Sequence, residues 1–247
     1  MNPVASSFNR AAKSYQQAAR LQREVAFDSL PLLKPAHVLL DLGSGPGWFH
    51  PQLSPFCDEL WALDMSPAML VQAQQQQVAT RFVLADASAV PLAAGCVDAV
   101  YSSLMLQWVP DPSQVFAEIA RLLKPGGRFV LTTLVEGSLH EFQDAWQMAG
   151  YASPALDFVG SDALMRQCHD ASLHVQAMQK SYTLFFPDVQ TLAREFKQIG
   201  ANYIANRSKG LGGKAKWHAF ANAYDSKRTA AGLPLTYQVL FLSGEVR

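Results

Sequence analysis

Three carboxylates and three glycines carry the first chemical signal in this chain. The run Asp41-Leu42-Gly43-Ser44-Gly45-Pro46-Gly47 follows the apolar stretch Val38-Leu39-Leu40. Asp64 closes a second such stretch, Glu59-Leu60-Trp61-Ala62-Leu63, and Asp86 closes a third, Arg81–Ala85. Glycines serve where backbone must turn tightly or let a ligand approach closely. A carboxylate closing the strand after such a turn can hold a ribose hydroxyl pair. The set therefore points to a ligand built on adenosine. Dinucleotide-binding folds carry Gly-x-Gly-x-x-Gly. Here the third glycine comes one residue early, with Trp48 where that pattern has Gly. That spacing argues against a nicotinamide oxidoreductase.

Other chemistries find less support. His37, His50, His140, His169, His174 and His218 are scattered, and Cys57, Cys96 and Cys168 are odd in number and far apart. They suggest no disulfide framework and no His/Cys catalytic or zinc cluster, so no metal is expected. The N-terminus lacks the charged-then-apolar pattern of a secretory signal. With a mean hydropathy of +0.03, the chain has no apolar run approaching a membrane span. The expectation is a cytoplasmic protein without membrane or nucleic-acid partners.

The elements that would position these residues alternate. Ala5–Leu30 has helical apolar spacing and ends at Pro31 and Pro35. Strands are expected at Val38–Leu42, Leu60–Leu63, Arg81–Ala85, Val97–Ser102 and Arg128–Leu134. Ser66-Pro67 and Asp111-Pro112 each open a helix between them. Such alternation implies parallel βαβ units, whose right-handed crossovers bring Asp41, Asp64, Asp86 and Ser102-Ser103 to one sheet edge. Beyond Val135 the alternation loosens. Helices are expected at Ser138–Met148, Ser161–His169 and Pro187–Ile199, strands at His174–Phe185 and Thr236–Ser243, and a Gly/Lys-rich loop at Ser208–Lys216.

The 20 basic and 20 acidic residues balance, but their distribution does not. Arg194 to Arg228 holds eight basic residues against two acidic, leaving twelve against eighteen elsewhere. This +6 segment is either a solvated face or a docking surface for an acidic partner.

The glycine and carboxylate set resembles the class I S-adenosylmethionine-dependent methyltransferases over about Leu39 to Leu134. The resemblance implies a Rossmann-like α/β three-layer sandwich. Its sheet would be mostly parallel and seven-stranded with an antiparallel last strand, plus an N-terminal helix and a helical lid insertion. It implies that Asp41, Gly43, Ser44 and Gly45 line the methionine half of the cofactor. Asp64 would bind the ribose, Met65 and Asp86-Ala87 would flank the adenine, and Ser103-Leu104 would sit beside the sulfonium.

An ordered series of further motifs extends the resemblance nearly end to end. They are Phe8-x-x-Ala11-Ala12-x-x-Tyr15, Leu104-x-Leu106-Gln107-Trp108, Thr132-Thr133-Leu134-x-Glu136-Gly137-Ser138-Leu139, Ala145-Trp146, Lys197-x-Ile199-Gly200-Ala201 and Pro234-Leu235-Thr236-Tyr237. Together they resemble the malonyl-[acyl-carrier protein] O-methyltransferases of biotin synthesis. Ala201-Asn202-Tyr203-Ile204 and Asp157-Phe158 depart from that family's Ala-Thr-His-Leu and Arg-Phe patterns, both in the substrate half.

The resemblance implies esterification of the free carboxylate of a malonyl thioester on acyl-carrier protein or CoA. S-adenosyl-L-homocysteine would be the product. A carboxylate is already ionised at pH 7 and needs no general base. Arg121 is the expected carboxylate ligand. Tyr15 and Trp108 would close over cofactor and substrate. Lys197 and Tyr237 are further substrate candidates, and Lys214 and Lys216 would face the acidic carrier protein. The alternative is a class I methyltransferase acting on a quinone precursor or other small metabolite. The chain reads as one methyltransferase domain, 1–247. Its parts are an N-terminal helical segment (5–30), a cofactor core (36–135), substrate and lid elements (136–235) and a closing strand (236–247).

Overall fold

The computed structural model describes residues 3–12, 19–198 and 213–246. Tyr15 and the middle of the basic segment, 199–212, lie outside the described residues. Where Ala5–Leu30 reads as one helix, the described residues of that stretch include α1 (Pro3–Ala11) and α2 (Arg20–Ser29), with Ala12 and Ala19 outside them. Seven strands then form one sheet. They are β1 (Ala36–Leu42), β2 (Cys57–Asp64), β3 (Arg81–Leu84), β4 (Val97–Ser103), β5 (Leu123–Leu134), β6 (Leu173–Phe186) and β7 (Leu233–Val246). The spatial order is β3-β2-β1-β4-β5-β7-β6. β1 to β5 pair in parallel, and β7 inserts antiparallel between β5 and β6. This is the mostly parallel sheet with an antiparallel last strand that the sequence implies.

The helices fill in around the strands. α3 (Pro67–Gln75) joins β2 to β3, and α4 (Pro112–Leu122) joins β4 to β5. α5 (His140–Met148) and α6 (Ser161–Asp170) follow β5, and α7 (Val189–Gln198) and α8 (Gly213–Asp225) lie between β6 and β7. Ser66 caps α3 by accepting the Met69 N–H at 3.2 Å, and Asp111 caps α4 through the Ser113 N–H at 3.1 Å. In both helices Pro occupies the first position, where no N–H is needed.

Alternation along the strands sorts the core into layers. Leu40, Leu42, Val100, Phe129, Leu131, Leu240 and Leu242 face α4 and α6, meeting Val115, Phe116, Ile119 and Leu164. Leu39, Leu60, Ala99, Tyr101 and Val130 face the other way, toward Ala26, Phe49 and Leu53. On that second side, α2, α5 and α8 cover β6 and β7 with an aromatic cluster. The Trp146 and Phe220 rings stack at 4.4 Å, and Phe142 and Tyr224 pack edge-on to Phe220. This cluster corrects the loop expected through Lys216. Gly213 to Asp225 is helical because burying Phe220 and Tyr224 outweighs the cost of Gly213, and Lys214, Ala215 and Lys216 are themselves good helix formers.

Candidate active site

The carboxyl-terminal strand edge is built around the Gly-rich turn. As β1 ends, the N–H groups of Gly43 and Ser44 both donate to the Leu63 carbonyl of β2, at 2.8 and 2.9 Å. Gly43 has φ +79°, and a Cβ there would run into the Met105 side chain. Gly45 has φ +56° and faces open space, so its backbone is bare toward the cavity. Its N–H donates to Asp64 Oδ2 at 2.9 Å, while Asp64 Oδ1 accepts the Ser66 N–H at 2.7 Å. Asp64 is half-buried and lines a cavity at this strand edge. Burial pushes its carboxyl up to about 6, against the opposing pull of these backbone bonds. The neighbouring Asp41 carboxylate adds to the rise.

Asp41 is itself buried, with His50 Nε2 at 3.2 Å from its Oδ2 and the imidazole wholly enclosed. Ser44 Oγ is buried without a hydrogen-bond partner among the described residues. An orphan hydroxyl, a bare glycine backbone and an enclosed carboxylate together fit a polar ligand such as a ribosyl compound.

A cavity of about 80 Å³ is lined by Gly43, Gly45, Asp64, Met65, Asp86, Ala87, Ser103 and Leu104, with Trp108 at one side. Of the residues expected at the cofactor, these eight meet there. Asp41 and Ser44 stand beside it in the same strand end and turn. Val4 and Phe8 of α1 roof the cavity.

The turn after β4 forms the opposite wall. Leu104 takes φ +51°, uncommon for a branched side chain. Its N–H donates to the Thr132 carbonyl at 2.9 Å, and its own carbonyl accepts Gln107 Nε2 at 2.6 Å. Thr133 Oγ1 donates to Gln107 Oε1 at 3.2 Å. Gln107, Thr132 and Thr133 hold this turn, yet sequence reasoning gave none of them a site role. Their signal was present as membership of the Leu-Gln-Trp and Thr-Thr motifs.

A second cavity, of about 520 Å³, adjoins the first and shares Val4, Trp108, Val109 and Pro110 with it. Its other walls include Gln107, Thr133, Asp157 and Phe158. Trp108 thus stands between two cavities, edge-on to Phe8 with ring centroids 5.4 Å apart.

Arg121 is not at this edge, which corrects the expectation for it. A crossover helix runs back along the sheet, so the last turn of α4 reaches the amino-terminal end of β4. There the Arg121 carbonyl accepts the Gly95 N–H at 2.9 Å, two residues before β4 begins. The guanidinium is committed as well. It grips Glu118 through Nε and Nη2, at 2.7 and 2.8 Å, and donates to the Leu92 and Val90 carbonyls. That bond holds the Glu118 carboxyl below its ordinary value. Tyr237 lies in the aromatic core and lines neither cavity; burial pushes its phenol upward. Lys197 and Lys214 are exposed, on α7 and α8, and the Lys216 ammonium sits 4.8 Å over the Tyr151 ring.

Comparison with known proteins decides the family. Residues 40–131 match a methyltransferase domain model. The chain is 36% identical over 241 residues to a malonyl-[acyl-carrier protein] O-methyltransferase of Serratia marcescens, covering 96% of this chain and 93% of that one. The chain belongs to the malonyl-[acyl-carrier protein] O-methyltransferase family. A second member, from Alcanivorax borkumensis, is 37% identical over 255 residues, covering 98% and 85%. The biotin biosynthesis bifunctional protein BioHC of Cellvibrio japonicus is 38% identical over 245 residues, and the chain spans 49% of its length.

Among solved structures, the Bacillus subtilis YcgJ protein superposes with a TM-score of 0.64 at 16% identity, covering 90% of this chain and 99% of that one. A SAM-dependent methyltransferase from Thermotoga maritima gives 0.60 at 16%, covering 99% and 100%. Both show the shared class I methyltransferase fold.

For this family member, Arg121→Met should destabilise the protein by about 1–2 kcal/mol in urea unfolding, through lost hydrogen bonds to the 90–92 loop. The KM for an acceptor should stay within twofold. A KM rise without a stability loss would return Arg121 to the site.

Proposed function

We propose that the protein is a S-adenosylmethionine-dependent carboxyl O-methyltransferase that esterifies the free carboxylate of a malonyl thioester on acyl-carrier protein, an early step of biotin synthesis. The observation that carries this reading is the near-full-length similarity to named malonyl-[acyl-carrier protein] O-methyltransferases. It spans the substrate half as well as the Gly-rich turn.

When bound, S-adenosylmethionine supplies a methyl group activated by its own positive sulfur. The chain's residues bind and aim. Asp64 accepts the ribose hydroxyls, and the bare backbone at Gly43 and Gly45 lets the methionine half approach, with Asp41 and Ser44 beside it. Met65 and Asp86-Ala87 flank the adenine. Ser103 and Leu104, fixed by Thr132 and Gln107, form the wall beside the methyl group. Trp108 borders both adjoining cavities, so an acceptor in the second would reach the donor past its edge. The acceptor carboxylate is already ionised, so alignment and exclusion of water suffice for transfer.

The basic segment suits an acidic carrier protein. Lys227 and Arg228 are paired with Asp144 and Asp225. Of the described cations that remain, Arg194, Lys197, Lys214 and Lys216, the three lysines are the proposed contacts. The long phosphopantetheine arm would deliver the thioester, and the largely apolar second cavity can take its neutral chain.

A specific observation favours the second reading. Asp157 puts a carboxylate into that cavity's wall, which suits a neutral small acceptor better than an anion. Methyl transfer measured with malonyl-carrier protein, malonyl-CoA, other carboxylates and neutral phenols separates the two. Turnover of a malonyl thioester is expected, whereas turnover of phenols alone would overturn the reading.

Two further outcomes follow from the site. S-adenosylhomocysteine affinity should fall about tenfold between pH 7 and pH 5, because an Asp64 carboxyl near 6 becomes protonated and loses acceptor capacity. Asp64→Asn should bind more weakly and lose that step in a calorimetric pH series. The sign for folding is opposite. The raised value stabilises the ligand-free protein below about pH 4, and this contribution is lost as pH rises through about 6. The double reversal Lys214→Glu, Lys216→Glu should lower kcat/KM at least tenfold for the carrier-bound substrate and less than threefold for malonyl-CoA. Equal losses on both substrates would place docking elsewhere.

A further inference from the structure

α1 is a short helix held by an unusual anchor. Asn9 Oδ1 accepts a hydrogen bond from Ser66 Oγ at 2.6 Å and another from the Ala68 N–H at 3.2 Å. Ser66 is fully buried. Its Oγ also accepts the Met69 N–H as the cap of α3, and its own N–H donates to Asp64. Asn9 therefore grips the same turn whose backbone fixes the ribose carboxylate. One residue earlier, Phe8 lines the 80 Å³ cavity and meets Trp108 edge-on.

The dimensions give this anchor a consequence. Pockets for ligands of drug size occupy roughly 300–1,000 Å³. The cavity under α1 offers about 80 Å³, less than an adenosine-bearing ligand fills, so α1 has to shift from this position for such a ligand to be seated. A helix of nine residues is too short to be stable alone, so contacts at its docking face decide its position. Within that face, Val4 and Phe8 supply apolar contact that tolerates sliding. Asn9 supplies the directional bonds.

We propose that α1 is a roof that lifts for ligand exchange and that Asn9 is the positioning residue that latches it shut. The strength of the latch sets how long the ligand stays. The proposal rests on reading the cavity as the S-adenosyl site. Asn9 reaches the ligand through Ser66 and Asp64 rather than by touching it. An Asp at position 9 would keep the acceptor, and its charge would suit the N-terminus of α3.

The test is stopped-flow dissociation of S-adenosylhomocysteine, chased with excess S-adenosylmethionine and followed by tryptophan fluorescence. Hydrogen exchange of the α1 amides in the ligand-free protein runs beside it. Asn9→Ala should raise the dissociation rate about tenfold, equivalent to 1.4 kcal/mol. It should also speed exchange in α1 while exchange in β1 and β4 stays unchanged. Asn9→Asp should restore both toward the parent protein. A dissociation rate within twofold of the parent in Asn9→Ala would overturn the latch while leaving the cofactor site standing. Failure of the parent protein to bind S-adenosylhomocysteine at all would overturn the site reading and the latch together.

Discussion

The ligand edge depends on one half-buried carboxylate. Drawing an anion away from water is costly, and the backbone offsets part of that cost by aiming N–H groups at it. Asp64 takes one from Gly45 and one from Ser66. Those two bonds join three elements: the turn leaving β1, the end of β2 and the start of α3. Ser66 then passes the connection outward through its hydroxyl to Asn9 on α1. Gly45 needs its left-handed backbone so that its N–H meets the carboxylate while its Cα face stays open. Moving Asp64 would shift the glycine turn, the first turn of α3 and the roof together.

Much of this was legible because it is local. A strand, a Gly-rich turn, a carboxylate at the next strand's end and a Ser-Pro helix start are short-range patterns. The carboxyl ends of β1 to β5 matched the structure to within one residue, whereas β2 and β5 begin earlier than their apolar runs suggest. What the sequence hid is long-range. No glycine or proline marks the end of α1 at Ala11, so apolar spacing alone reads past it. The helical character of Gly213–Asp225 comes from Phe220 and Tyr224 meeting Phe142 of α5, about eighty positions away in the chain. Gln107, Thr132 and Thr133 matter through hydrogen bonds across β4 and β5, which no single segment displays.

Arg121 is a different kind of miss, because the chain order already contained the answer. A helix that leaves the carboxyl edge of a parallel sheet must end at the amino edge before the next strand can start. A residue in its last turn is then a full strand length from any ligand at the opposite edge. Its neighbours Glu118, Val90 and Leu92 show what the guanidinium does there: it fixes the loop that leads into β4. The loop bears on the site only indirectly, through the strand whose far end carries Ser103 and Leu104.

Charge placement separates the two ends of the proposed reaction. Asp41, Asp64 and Asp86 gather at the cofactor edge, whereas the cations of the Arg194–Arg228 segment include α7 and α8. In the proposed reaction an acidic carrier protein would be drawn to the second region and repelled by the first. Its folded body would stay outside while a flexible arm carries the thioester inward. Only the small carboxylate would have to face the acidic edge, where the positive sulfur of a bound donor would supply a counter-charge. A strongly cationic pocket is then unnecessary. Too firm a grip on the attacking oxygen would stabilise the ground state and slow transfer. Neutral donors such as the Gln107 amide and the Trp108 indole can orient an acceptor without that penalty, which fits their place in the lining of the second cavity.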